Sequence, residues 1–171
     1  MHSRPSEPTS ALAALIAGNH RHVERRAAGA DRWADDGLAI VHAFPRKPFA
    51  LAVAGAEHSV VTPHIFSLGH DDVIVVDALQ EVGAHASAHG VKLIVVIQPI
   101  QAQLVQANSA WMHAELRAFS LIETILRDNA AVRRAATAGD LRLVAALLEH
   151  PTERVHWVGE HPECDALLQG C

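Results

Sequence analysis

Three runs, Phe49-Ala-Leu-Ala-Val-Ala54, Asp72-Val-Ile-Val-Val76 and Lys92-Leu-Ile-Val-Val-Ile97, decide the fold. Each is short and has an interior without polar residues, the pattern of strands buried on both faces of a parallel sheet. Helical segments separate them. The first connection, Thr62 to Leu68, is short, whereas Ala78 to His89 is long enough for a crossover helix, and a further helical stretch follows Pro99. Trp111 to Ala135 is helical by period, with Phe119, Ile122 and Leu126 on one stripe. Gly139-Asp140 breaks and re-caps the chain. Leu141, Val144, Leu147 and Leu148 then read as another helical stripe ending at His150-Pro151, and Val155 to Val158 as a fourth strand. Strand–helix alternation of this kind predicts an α/β domain with helices over the sheet. Upstream, Ser10 or Thr9 caps an amphipathic helix carrying Leu12, Leu15, Ile16 and Val23. The stretch from Ala27 to Lys47 has no sustained period. The expected organisation is thus an arm and connection over 1–47 followed by one α/β domain over 48–171.

Composition narrows the class. The chain has 171 residues, 50% of them apolar, enough for one domain with a sizeable core. Lys and Arg number 14 against 19 Asp and Glu, a net charge of −5 without a basic block, so binding that runs on phosphate neutralisation is not expected. No apolar stretch reaches the ~18 residues of a membrane span, and the N-terminus lacks signal-peptide features. A cytoplasmic location is expected, with neither nucleic acid nor membrane as partner. Both cysteines, Cys164 and Cys171, lie near the end, so no disulfide framework is expected. Thirteen histidines require separate weighing.

Three stretches share an order with a known family. Ala11-Leu-Ala-Ala-Leu-Ile-Ala-Gly-Asn-His-Arg-His-Val23 is similar to the first helix of the β-class carbonic anhydrases, in which leucines precede Gly-Asn-x-Arg-Phe. Leu51 to Phe66, ending in Ser59-Val-Val-Thr-Pro-His-Ile-Phe66, resembles the strand and loop that read Cys-x-Asp-x-Arg-Val-Val-Pro-Glu-x-Ile-Phe in active members. His89-Gly-Val-Lys-Leu-Ile-Val-Val-Ile97 resembles the strand leading into Gly-His-x-x-Cys-Gly. The resemblance runs from about Ser10 to Val158 and implies a mainly parallel four-stranded sheet of order 2-1-3-4 with an N-terminal helical arm. Family members usually add a last edge strand and tail after the fourth strand, and none is expected here because the sequence stops soon after it. Family members are dimers built by exchanging that arm, so a homodimer or higher homo-oligomer is implied, with a further protein partner open.

The resemblance departs where the chemistry resides. The family's first zinc-binding Cys falls on Gly55, its Asp on Glu57, its Arg on Ser59, its His on Pro99 and its second Cys on Ala102. Its Gln before the first strand falls near Arg46, and its Arg after the second strand falls on Asp77. Zinc lowers the pKa of bound water from about 15.7 to about 7, roughly 12 kcal/mol of nucleophile generation. Gly55, Pro99 and Ala102 have no side-chain donor to hold it. The expectation is a protein without metal or other cofactor that does not hydrate carbon dioxide by the family mechanism.

Other residues are candidates in their own right. Glu57-His58 lies on a strand-end loop, and a carboxylate beside an imidazole suits acid–base work; the blander reading is a pair of solvated loop residues. His64 and His70-Asp71-Asp72 follow closely, but at no recognised metal-ligand spacing. Arg46, Asp77, Gln98 and Gln101, with Lys47 and Gln103, rim the implied cleft and suit a small polar or anionic ligand, or simply fill the pocket. His20 and His22, two apart on a helix, diverge, and a partly exposed interface role is expected for them. His85 and His89 stand at i, i+4, a spacing that can chelate a divalent metal, although an exposed helix face without a third ligand is the expected reading. His161-Pro-Glu-Cys164 and Cys171 read as a free tail, a soft-metal site or a disulfide. Two functions follow: a zinc-free structural, regulatory or ligand-binding homologue, or a repurposed metal-independent lyase or hydrolase acting on a small carbonyl or carboxylate, with Glu57 or His58 moving the proton and Arg46 pairing with substrate.

Overall fold

β-branched residues lose little rotamer freedom in extended backbone, and the three apolar runs do form strands. The computed structural model describes residues 5–29, 47–54, 62–68, 71–101 and 108–169. In chain order the elements are α1 (Pro8–Ala27), β1 (Ala50–Val53), α2 (Thr62–Ile65), β2 (Val73–Val76), α3 (Leu79–His89), β3 (Leu93–Gln101), α4 (Asn108–Asp128), α5 (Ala130–Thr137), β4 (Arg142–His150), β5 (Arg154–Gly159) and α6 (Cys164–Gln169). The α/β architecture is as expected. The strands form one sheet of order β2-β1-β3-β4-β5, parallel except for the antiparallel β4–β5 pair.

The strand count and one element differ from the sequence reading. Leu141 to Leu148, expected as a helical stripe, lies almost wholly within the nine-residue strand β4, and Val155–Val158 belongs to a fifth, antiparallel edge strand rather than a fourth and last one. The reason is burial. Six consecutive residues, Leu143 to Leu148, are buried between the two helical layers, so the segment has no polar face for a helix to turn outward. A continuous apolar run fits helix and buried strand equally by period; pairing with β3 on one side and β5 on the other decides it. Similarly, β3 extends through Pro99 to Gln101, and the long helix beyond it divides at Asn129 into α4 and α5.

Two apolar layers sandwich the sheet. On one face Ile94, Val96 and Ala145 pack with Val82 of α3, Ile122 and Ile125 of α4 and Val132 of α5. On the other, Ala11 and Leu15 of α1 pack with Ile65 and Phe66 against Val95, Ala146 and Leu148. Helix α1 therefore covers the sheet of its own chain. Its close seat depends on Gly18, where a Cβ would overlap the Phe66 carbonyl oxygen. Among the described residues no helix is long and apolar enough to cross a membrane.

Candidate functional site

Because β1 to β4 are parallel, all four direct their carboxyl ends to one edge, the place where open α/β sheets collect ligands. Arg46, Gly55, Glu57, His58, His70, Ala102 and Gln103 lie outside the described residues, as does Cys171. Asp77, directly after β2, is exposed at the sheet's edge. Ala54, following β1, donates its N–H to the Val76 carbonyl at 3.1 Å, which fixes the relative height of these two tips.

On β3 the period of two separates the glutamines. Gln98 points to the α4 side and is buried, 8% exposed, and its Nε2 donates to the Ile97 carbonyl at 3.3 Å. Pro99 and Gln101 are exposed, and Gln101, three residues beyond Gln98, stands on the opposite face. Gln98, Leu147 and His156 form one cross-strand row over β3, β4 and β5. His156 meets Glu149 at 2.9 Å, and its ring lies edge-on to Trp111 with centroids 5.0 Å apart. The glutamines thus face two different environments.

A buried polar cluster at the same end of the sheet escaped the sequence reading. Asn19 of α1, 4% exposed, donates both amide hydrogens, to the Ile65 carbonyl at 3.0 Å and the Glu153 carbonyl at 2.9 Å, and accepts the Val155 N–H at 2.9 Å. One turn later His22 meets the Glu153 carboxylate at 2.6 Å, with Arg26 3.1 Å from the same oxygen. His64 of α2 stands edge-on to His22, ring centroids 4.9 Å apart. Glu153 adopts the left-handed region at φ 57, a conformation uncommon outside glycine, and contacts from α1 hold both its carbonyl and its carboxylate. The expectation of a partly exposed role thus fails for His22, which is buried, whereas His20 is exposed beside Glu24 at 3.4 Å. Asn19 and His22 lie more than a hundred residues from Glu153 and Val155 in sequence, beyond the reach of any local pattern.

A cavity of about 570 Å³ opens at the other end of the sheet, between the start of α1, Lys92, Arg142, Glu160, Cys164 and Asp165. Arg142 Nε donates to Glu160 at 2.6 Å across it. Burial pushes the Cys164 thiol above its ordinary pKa; the Glu160 and Asp165 carboxylates push the same way and Arg142 opposes them. The segment before it is no free tail. His161 Nδ1 accepts the Glu163 N–H at 3.0 Å, so Nε2 carries the proton toward Glu123 at 3.1 Å, and the ring packs against Phe119. With both nitrogens engaged, the soft-metal reading of His161 has no free ligand atom in this arrangement.

Among the described residues no group of three or more His, Cys, Asp or Glu side chains is placed to hold a metal ion. The chain is similar in structure to the β-carbonic anhydrase CafA of the fungal pathogen Aspergillus fumigatus, with 14% identity and a TM-score of 0.60 over 92% of this chain and 94% of that one. The β-carbonic anhydrase CafD of the same fungus matches at 14% identity and a TM-score of 0.39, over 68% and 92% of the two chains. No family model and no curated protein matches. The fold, with its 2-1-3-4-5 sheet and N-terminal helix, is that of the β-carbonic anhydrases.

Proposed function

We propose that this chain is a β-carbonic-anhydrase-like protein that does not hydrate carbon dioxide and serves as a structural, regulatory or small-ligand-binding subunit of a homo-oligomer. The observation that carries this reading is the donor chemistry at the strand tips. The resemblance sets the zinc ligands on Gly55, Glu57, Pro99 and Ala102, and three of these have no side-chain lone pair to offer. Pro99, on which the resemblance sets the family's histidine, stands within β3 in register with Leu148 and carries a ring without a donor. The remaining carboxylate alone does not make a zinc site, so these residues do not fit the metal. Without the roughly 12 kcal/mol that zinc supplies to water activation, the neutral, exposed Gln101 suits hydrogen bonding to a ligand rather than hydration.

Assembly is supported by what the single chain leaves uncovered. Met112 and Leu116, one turn apart on α4, are 52% and 57% exposed, and β2 is an edge strand whose Ile74 and Val75 are only half-buried. Stopped-flow hydration measured on zinc-replete protein tests the first part; the expected rate equals that of buffer, and an acceleration abolished by a chelator contradicts it. Sedimentation equilibrium tests the second, with a dimer or larger species expected and a monomer at high concentration against it.

A further inference from the structure

Helix α3 carries Glu81, His85 and His89 at successive four-residue steps, which places all three along one stripe of its surface. The two imidazoles lie within 8° of parallel, ring centroids 6.1 Å apart, and the Glu81 carboxylate is 3.9 Å from His85 Nε2. The stripe turns away from Val82 and Ala86, the residues that seat the helix in the core. The side chains of His85 and Glu81 are 40% and 57% exposed, so rotation about their χ angles is not blocked by packing.

We propose that His85 and His89 form a two-imidazole clamp for a divalent transition-metal cation of the imidazole-preferring class. Three features converge on a cation here. The i, i+4 spacing brings two neutral nitrogen donors to one point after small side-chain rotations, within the ~2.0–2.1 Å metal–nitrogen distance that such ions require. His89 is the last residue of α3, and Gly90 caps the helix in the left-handed region at φ 59, so the pair sits at the negative end of the helix dipole, which favours a cation nearby. Glu81 supplies a carboxylate that the spacing of the two histidines alone does not reveal; it lies 3.9 Å from His85 Nε2 and adds negative charge beside the two imidazoles. No three described donors already converge, so the clamp holds the ion at two points and leaves its other positions to water. It lies on the sheet's flank and is independent of the strand-tip reading.

The test is titration of isotope-labelled full-length protein with nickel chloride at neutral pH, followed by amide resonances and calorimetry. Paramagnetic broadening is expected to centre on residues 81–93. His85→Ala and His89→Ala, both at helix-surface positions, are each expected to weaken that site at least about tenfold. His113→Ala, on α4, is the control and leaves it unchanged. Sharp α3 resonances through a molar excess of nickel, or a loss of affinity below that threshold in both variants, overturns the proposal.

Discussion

Replacing Asn19 with alanine probes the joint that fixes α1 to the sheet. The side chain satisfies three backbone groups drawn from α2, the β4–β5 turn and the start of β5. Truncation leaves the buried Val155 N–H without its acceptor, at about 1–3 kcal/mol, and removes one donor from each of two carbonyls, at about 0.5–1 kcal/mol apiece. The total, about 2–5 kcal/mol, is a large part of the stability of an ordinary domain. For a chain of this size it corresponds to a fall in Tm of roughly 5–15 °C. Asn19→Asp keeps the acceptor for Val155 but loses both donors and buries a charge near Glu153, so it should destabilise at least as much. Urea unfolding followed by circular dichroism gives the difference, with His20→Ala, on the exposed neighbouring position, expected within about 0.5 kcal/mol of wild type. A loss below about 1 kcal/mol for Asn19→Ala refutes the reasoning, because it would mean that the three backbone groups are satisfied without it.

Gly18→Ala should be more damaging than Gly83→Ala: the new Cβ at 18 meets the immovable Phe66 carbonyl, whereas at 83 it meets the end of the Asn129 side chain, which can rotate; equal thermal stabilities of the two variants would contradict this. Leu147→Ala, which empties a fully buried position on β4, should cost about 2–5 kcal/mol in denaturant unfolding, and a cost near zero would contradict the placement of that segment at the centre of the sheet. In a Cys171→Ser background, alkylation of Cys164 should be slow at neutral pH and rise only at more alkaline pH than in the unfolded chain, since a raised pKa means less thiolate at any pH below it. Glu160→Gln removes a carboxylate and releases Arg142 toward the thiol, so it should accelerate the reaction; an unchanged or slower rate counts against the stated electrostatics.

The parts of the fold legible in the sequence are those whose signal is local. Phe49–Ala54, Asp72–Val76 and Lys92–Ile97 are apolar over the length of a strand and bounded by breaks, and they mark β1, β2 and β3. The order of the three family-like stretches led to the correct arrangement β2-β1-β3, whereas the next strand in the sheet is Arg142–His150 and not Val155–Val158. Leu143–Leu148 misled because a residue run apolar at every position contains no period, and only its neighbours β3 and β5 specify its conformation. The joint of Asn19, His22 and Glu153 was illegible for another reason: its members meet only after the sheet has brought the β4–β5 turn under α1. His161 read as tail chemistry because its partners, Glu123 and Phe119, lie some forty residues upstream. At the strand tips the signal was subtractive, residues without donors at Gly55, Pro99 and Ala102, and such a signal says what chemistry is missing more readily than what replaces it.

The most direct test of the zinc-free reading is the metal content of the His85→Ala/His89→Ala double variant after zinc loading and gel filtration, since that background removes the proposed surface clamp. Essentially no zinc is expected to remain with the protein. An equimolar amount, tightly held and lost on substituting Glu57, would contradict the zinc-free reading.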